Sequence, residues 1–373
     1  MPDGYSVSIG AQVGQHDNSH TGERAAAPGK GTGAPGKGTG AAGNGSGEPG
    51  KGTGAAGIAG PRRRPSLPHV PHAGLLVVLV LIVVFAVTQT DAFLTSTNLI
   101  NVLRQVSVVA VIAAGLTLLM TAGGMDFSMG SNVSVTTAVA AQLVSHGHSP
   151  WLAIVVAMAL SIAIGLVNGL VVTYTAVAPF VATLASATML DGLALLIING
   201  LSISIGTRLS WLGNGKTFGL PHLLIVAVIV LALTAFVMRY TSFGRDAFAI
   251  GGNEDVARLS GIRVSRDKLL LYALAGGLSG LAGIMLLSRL AASSPGTGGL
   301  TLQLTAVAAV VIGGTSLAGG KGSIPGTVLG VVLLGVVANV LNLLQISSFY
   351  QQISVGAVLL VAAIANLLQR RRS

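Results

Sequence analysis

The sequence predicts an all-α polytopic membrane protein with about ten transmembrane helices, cytoplasmic at both ends, preceded by a disordered Gly/Pro-rich tail. Two observations lead to this class. The chain is 51% hydrophobic and only 9% charged, with a mean hydropathy of +0.78, whereas soluble proteins carry roughly a quarter charged residues. Apolar runs of about twenty residues also recur, and each is long enough to cross a hydrocarbon core of roughly 30 Å.

The first 70 residues differ in composition from the rest of the chain, and we expect a disordered low-complexity cytoplasmic tail at 1–70. Residues 27–54 repeat a seven-residue pattern: APGKGTG, APGKGTG, AAGNGSG and EPGKGTG. Such a composition buries too little apolar surface to offset the entropy of ordering. The segment GTGAPGKG at 31–38 resembles a phosphate-binding loop, but Gly38 replaces the Ser or Thr that would hold magnesium. We therefore predict no nucleotide site in the tail.

Ten membrane spans are predicted in the remainder of the chain. Three are weaker than the others: the second carries Arg104, the third is rich in Ser and Thr, and the eighth contains the pair Gly313-Gly314. The predicted bounds are 73–89, 99–122, 128–146, 151–173, 179–199, 222–238, 268–288, 301–319, 325–344 and 351–368.

The distribution of Lys and Arg orients these spans, because cytoplasmic loops collect cationic residues. Alternation from the first span places the loop 239–267 and the C-terminal arginines on the cytoplasmic side, which requires an even number of spans. These loops account for the sequence pI of about 10.5, so we expect a bilayer partner and no nucleic acid. The cationic residues concerned are Arg62, Arg63, Arg64, Arg239, Arg245, Arg258, Arg263, Arg266, Lys321 and Arg370–Arg372.

The loop 239–267 contains a predicted short helix at 253–261. An N-cap side chain, acidic residues in the first turn, an i,i+4 ion pair and a C-terminal glycine all favour it. In chain order, these features are Asn253, Glu254 with Asp255, Arg258 four residues after Glu254, and Gly261.

This helix has two predicted faces. Val256, Leu259 and Ile262 line one side, while Ala257 and Ser260 form a face of small residues suited to close packing. A solvated helix that only links two spans explains the same residues equally well, since charged runs usually mark solvated faces.

Four segments of the chain resemble the sugar-type ABC importer permeases, the family of ribose, xylose and galactose transporters. The resemblance extends over about residues 75–370 and excludes the tail. The segments are TSFGRDAFAIGGNEDVARLSGI (241–262), AVAAVVIGGTSLAGGKGSIPGT (306–327), TAGGMDFSMGS (121–131) and GLVNGLVV…APFVATL (within 165–184).

The resemblance implies a transmembrane permease domain at 71–373 that imports a monosaccharide or related sugar, using ATP hydrolysed by a separate subunit. The implied partners are an ATP-binding cassette ATPase, an extracytoplasmic sugar-binding protein and a second copy of this chain. Residues 253–261 would form the coupling helix. The small face would enter the ATPase groove, and charged residues would make the rim contacts, namely Glu254, Asp255 and Arg258.

The sequence departs from the family pattern at three places. Gln303 and Thr305 stand where the family usually carries an acidic pair, and Asp191 stands where arginine is common. A family Gly-Thr pair is replaced by Ala185-Ser186. These changes leave the predicted fold intact but bear on the identity of the substrate.

Polar residues inside the predicted spans are candidates for the translocation path. Asp126 is the strongest, because a carboxyl group at membrane depth is costly and rarely faces lipid. The alternative, which we favour, is that Asp126 caps the third span. Asn168, Thr183 and Asn199 are further candidates, each also suited to holding helices together. Asp191 is a fifth candidate whose partner the sequence does not indicate.

The sequence carries no recognisable catalytic motif, so we expect a transport subunit without enzymatic activity or cofactor. His146 and His148 lack a third ligand nearby, and no metal site is expected. An ion-coupled secondary transporter and an ABC permease for branched-chain amino acids remain alternatives. A structural anchor is disfavoured by the glycine-broken spans. The expected location is the bacterial cytoplasmic membrane.

Overall fold

The computed structural model of the protein describes residues 73–175 and 177–347, together with the pairs 349–350, 352–353 and 356–357. The predicted tail and most of the predicted tenth span lie outside these residues. The helices are α1 (Ala73–Gln89), α2 (Ser96–Thr121), α3 (Met129–Ser145), α4 (Pro150–Tyr174), α5 (Pro179–Ile197), α6 (Ser210–Gly213), α7 (His222–Tyr240), α8 (Ser242–Gly252), α9 (Glu254–Leu259), α10 (Val264–Leu290), α11 (Gly299–Ile312) and α12 (Ile324–Leu343).

Four two-residue strands accompany the helices and form two antiparallel pairs. They are β1 (Ile203–Ser204) with β4 (Ala292–Ser293), and β2 (Lys216–Thr217) with β3 (Leu220–Pro221). The first pair ties the segment after α5 to the end of α10.

The helical membrane class is confirmed, whereas the count of ten spans and the orientation stay predictions. Six helices in the described residues are long and apolar enough to cross a membrane, namely α2, α4, α5, α7, α10 and α12. Two predicted spans correspond to the shorter apolar helices α1 and α11. The predicted eighth span is too long, because α11 ends at Ile312 and Gly314 then adopts φ +88°.

Helix α2 lies at the centre of the fold and contacts α7, α10, α11 and α12. Its residues from Val106 to Thr121 are almost all buried. By contrast, α4, α5 and α7 expose large apolar side chains such as Val155, Leu196 and Phe236. Exposed apolar surface of this extent is typical of faces that meet lipid or another subunit.

Helices α4 and α10 approach each other through small residues. A Cβ atom on Gly165 would lie 2.4 Å from the carbonyl oxygen of Tyr272, and one on Gly276 would lie 2.6 Å from that of Ser161. The Ser161 hydroxyl donates a hydrogen bond to the Gly276 carbonyl at 2.7 Å. Small residues and interhelical hydrogen bonds of this kind hold membrane helices together where lipid supplies no hydrophobic drive. This contact fixes α10, which carries α9 at its beginning.

Candidate functional site

Helix α9 forms with the local features that the sequence predicts. The Asn253 side chain accepts a hydrogen bond from the backbone N–H of Val256 at 3.1 Å, which satisfies one free amide of the first turn. Arg258 pairs with Glu254 at 3.2 Å. The helix ends at Leu259, and Gly261 two residues later has a φ of +87°, a left-handed conformation that favours glycine.

A second cation, Lys268 at the start of α10, also binds Glu254. The Lys268 ammonium donates a hydrogen bond to the Glu254 carboxylate, and this contact, together with the charges of Lys268 and Arg258, holds the pKa of Glu254 below its ordinary value. The contact spans 14 residues of sequence and joins α9 to α10. It therefore fixes the direction in which α9 leaves the helix bundle.

The exposed face of α9 differs from the one expected. Ala257 is only 3% exposed, because it packs in a small cluster with Ile250 of α8 and Val264 of α10. Val256 and Leu259 instead project outward, with 57% and 89% of their surface exposed. The expectation that Ala257 presents a small face to a partner is therefore wrong. The small side chain serves to bring α9 close to its own bundle.

Glycine contacts connect α8 to the interior of the fold. A Cβ atom on Gly251 would lie 2.0 Å from the carbonyl oxygen of Thr121, at the end of α2. Gly320, in the loop after α11, donates its N–H to the same carbonyl at 2.9 Å. Gly319 has φ +86° and would place a Cβ atom 2.9 Å from the Cα of Gly123. The end of α2 and the loop after α11 thus meet α8 backbone to backbone.

The segment between α2 and α3 is buried and held by polar contacts. The Asp126 carboxylate is 2% exposed and accepts hydrogen bonds from the backbone N–H and the hydroxyl of Ser128 at 2.8 and 2.6 Å. Asn168 of α4 donates to the Ser128 hydroxyl at 2.6 Å. Thr183 of α5 accepts from the backbone N–H of Phe127 at 3.1 Å.

Two further helices hold the same segment. Gln303 of α11 accepts a hydrogen bond from the Gly130 N–H at 2.9 Å and donates one to the Asp126 carbonyl at 2.8 Å. The Tyr272 hydroxyl of α10 donates to the Met125 carbonyl at 2.9 Å. Groups from α4, α5, α10 and α11 therefore converge on one buried break in the chain, and a half-satisfied network at this depth would be costly.

The capping role expected of Asp126 is wrong in detail. Helix α3 takes Ser128 as its N-cap, without a side-chain cap hydrogen bond. Asp126 lies two residues earlier and stabilises the turn that leads into the helix. Sequence reasoning missed Gln303 as a structural partner of this turn, although its replacement of a common acidic residue marked the position as unusual.

Asp191 and Asn199 lie apart from this network. Asp191, on α5, lines a cavity of about 270 Å³ together with α3 and the segment 293–301. Asn199 follows the end of α5, where it is exposed and adopts φ +50°. This conformation is one that asparagine tolerates at helix ends. The structure thus brings Asp126, Asn168 and Thr183 together and leaves the other two candidates separate.

Comparison with known proteins decides the family. The family described as the permease component of the branched-chain amino acid transport system matches residues 98–363. The chain belongs to this permease family. The ribose import permease of Bacillus subtilis (strain 168) is 40% identical to it, with 81% of this chain and 92% of the relative aligned. The ribose import permease of Escherichia coli K12 is also 40% identical, with 78% of this chain and 92% of the relative aligned.

A third relative within this permease family is the L-arabinose ABC transporter permease of Azospirillum brasilense. It is 33% identical to this chain, with 80% of this chain and 88% of the relative aligned. Family membership and the six long apolar helices together make the chain a multi-pass protein of the cytoplasmic membrane. The family match begins in α2, so the tail and α1 precede it.

Proposed function

We propose that the chain is the membrane-spanning permease subunit of an ATP-driven importer and forms the translocation path for a monosaccharide. Family membership supports the permease role, and the similarity to ribose and L-arabinose permeases supports a sugar as the substrate. In this proposal a separate ATPase subunit hydrolyses ATP, an extracytoplasmic sugar-binding protein delivers the substrate, and two copies of the chain enclose the path. The termini lie in the cytoplasm.

The observation that carries the ATPase assignment is the exposed apolar face of α9. Val256 and Leu259 lie on a capped six-residue helix whose other side is packed against α8 and α10. A Leu side chain left 89% exposed beside charged residues gains from burial in a partner's groove, by roughly 1.5–3 kcal/mol for a fully buried side chain. We assign the rim contacts to Glu254, Asp255 and Arg258.

Four further positions complete the proposed coupling element, namely Asn253, Ala257, Ser260 and Gly261. Asn253 and Gly261 fix where α9 begins and ends, and Ala257 seats it on the bundle. Ser260 is exposed and donates its hydroxyl hydrogen bond to the Val256 carbonyl at 2.8 Å. A partner that binds the outer face of α9 would therefore move α8 and α10 with it.

The proposed path uses Asp191 as a polar lining group, with Asp126, Asn168 and Thr183 as its structural support. Each of these three side chains is buried and hydrogen-bonded within the chain. Asn199 is proposed only as a residue at the outer end of α5. This division favours a passage shaped by fixed helices over a network of carboxylates that carries coupling ions.

Reconstitution tests the proposal. The chain is purified with its ATPase and binding protein, placed in proteoliposomes, and assayed for uptake of D-ribose, L-arabinose and L-leucine with and without ATP. We expect ATP-dependent sugar uptake. Leucine uptake in place of sugar would favour branched-chain amino acid transport, which the family description names. Ion-driven uptake by the chain alone would contradict the importer assignment.

A further inference from the structure

The cavity beside Asp191 combines one carboxylate with several hydroxyl groups. Asp191 has one hydrogen-bond partner among the described residues, the Ser134 hydroxyl, and their 3.5 Å separation makes that bond weak. A carboxylate offers two oxygens and about four acceptor positions. Most of the acceptor capacity of Asp191 is therefore free to face the cavity. Ser294, Thr297 and Thr301, which carry hydroxyl groups, line the same space.

Apolar side chains line this cavity next to the polar ones. Ala138 of α3 and Ala194 and Leu195 of α5 line it. A space lined by a carboxylate, by residues that carry hydroxyls and by aliphatic groups suits a sugar ring, which carries hydroxyls at its edge and C–H groups on its faces. At about 270 Å³, the cavity is slightly smaller than the usual small-molecule site of roughly 300–1,000 Å³. It therefore fits a single ring.

Two glycines give the cavity its shape. Gly298 and Gly299 adopt φ +90° and +65°, conformations that side chains disfavour. A Cβ atom on Gly299 would lie 3.6 Å from the Asp191 carboxylate oxygen, so a larger side chain at this position would cover the acceptor. The Gly299 carbonyl oxygen would lie 2.3 Å from a Cβ atom on Gly130. The cavity thus rests directly on the break that Gln303 holds.

We propose that this cavity binds one monosaccharide during passage, with the Asp191 carboxylate accepting hydrogen bonds from two neighbouring sugar hydroxyls. The proposal rests on the proposed function and names the group that contacts the substrate. Hydrogen bonds to a charged acceptor are stronger than those between neutral groups. The described lining contains no aromatic ring for the sugar to stack on, so binding is weak enough for release.

A bound metal or alkali cation fits the cavity less well. Hard cations take six or more oxygen ligands at 2.0–2.6 Å for Mg²⁺ or Ca²⁺, whereas this site has one carboxylate in a space the size of a sugar. The described residues also contain no cluster of three or more His, Asp or Glu side chains.

The test compares three chains reconstituted with the same ATPase and binding protein: wild type, Asp191→Asn, and the control Thr188→Ala. Thr188 lies on the same helix, is exposed, and donates its hydroxyl hydrogen bond to the Leu184 carbonyl of its own helix. Uptake of D-ribose and of 2-deoxy-D-ribose, which lacks one hydroxyl of a vicinal pair, is measured. The binding protein is common to all samples, so a change in the ratio of the two rates comes from the permease.

We expect Asp191→Asn to lower D-ribose uptake about tenfold, the loss of one charge-assisted hydrogen bond, and to reduce the preference for D-ribose over the deoxy sugar. The control should match the wild type, and all three chains should retain the ATPase. Thr301→Val, which removes a lining hydroxyl at nearly constant volume, should lower uptake by a smaller factor.

Three results would overturn this proposal, and a fourth would refute the function on which it rests. Normal uptake by Asp191→Asn overturns it, and so does an equal loss for both sugars, which would assign Asp191 a structural role. Loss of wild-type uptake when choline replaces sodium, without such a sodium effect in Asp191→Asn, would assign the cavity to a cation. If the wild-type importer, supplied with ATP, took up none of D-ribose, 2-deoxy-D-ribose and L-arabinose, the proposed function itself would be refuted.

Discussion

The break between α2 and α3 and the short helix α9 both interrupt an apolar chain with polar residues. The break is buried within the chain, whereas α9 leaves an apolar face exposed. At the break, Asp126 and Gln303 find hydrogen-bond partners within the chain and lie almost completely buried. On α9, Glu254 pairs with Arg258 and with Lys268 of α10, and Leu259 is left 89% exposed. The first region is complete within one chain, whereas the second presents a surface for another.

This difference indicates how the two regions divide their tasks. A buried, hydrogen-bonded break positions helices and resists change, because each lost partner leaves an unsatisfied buried group. An exposed apolar face on a rigid helix costs little in the isolated chain and gains on association. The glycine contacts of Gly251 connect the two regions, since they place α8 against the end of α2.

The largest expected loss of stability comes from disturbing the contact of Gly251 with the end of α2. Gly251→Ala places a methyl group 2.0 Å from the Thr121 carbonyl oxygen, and such overpacking costs about 3 kcal/mol. We expect a clear fall in the thermal unfolding midpoint of the purified protein and a loss of uptake. Gly252→Ala is the matched control, because a Cβ atom there meets nothing within 4 Å. Equal stability of the two variants would disprove the close contact.

A smaller effect is expected at the break. Asp126→Leu leaves both the N–H and the hydroxyl of Ser128 without their acceptor, which costs about 2 kcal/mol. Asp126→Asn keeps an acceptor oxygen at the same place and should lose less than half of that. The free energy of unfolding of the two variants in denaturant measures the difference. If both variants unfold alike, the carboxylate contributes no specific hydrogen bonds.

On α9, removal of the N-cap should have a local effect of about 1 kcal/mol. Asn253→Ala loses the acceptor for the Val256 N–H, whereas Asn253→Asp keeps it. Hydrogen exchange of the α9 amides should speed up in the alanine variant and change little in the aspartate variant. Unchanged exchange in both would mean that packing alone holds the helix.

The smallest effect concerns pH. The pKa of Glu254 is lowered in the folded chain, so its contacts with Lys268 and Arg258 add stability above its unfolded pKa. This contribution is lost as the pH falls below the ordinary glutamate value and through the folded one. Because Glu254 is partly exposed, we expect a slight decrease in α9 protection at acidic pH, absent in Glu254→Gln. A decrease of equal size in Glu254→Gln would assign it to another group.

The sequence predicted features that depend on neighbours along the chain and missed those that depend on packing. The cap of α9, its Glu254–Arg258 pair and the conformation of Gly261 follow from spacings of a few residues. The burial of Ala257 follows from α8 and α10, which sequence periodicity does not place. Gln303 lies 177 residues from Asp126, so its role at the break required the fold. The predicted length of the eighth span failed because glycines end α11 early.

The central claim is that the outer face of α9 binds the ATPase subunit, and co-purification tests it most directly. Leu259→Asp is compared with Phe218→Asp, which changes another highly exposed apolar side chain, 99% exposed, in the turn between β2 and β3. The proposed orientation places that turn outside the cell. We expect Leu259→Asp to reduce the amount of co-purified ATPase at least tenfold, although the variant reaches the membrane in normal amounts. Phe218→Asp should co-purify with as much ATPase as the wild type. Full retention by Leu259→Asp would contradict the account and place the docking surface elsewhere on the cytoplasmic side.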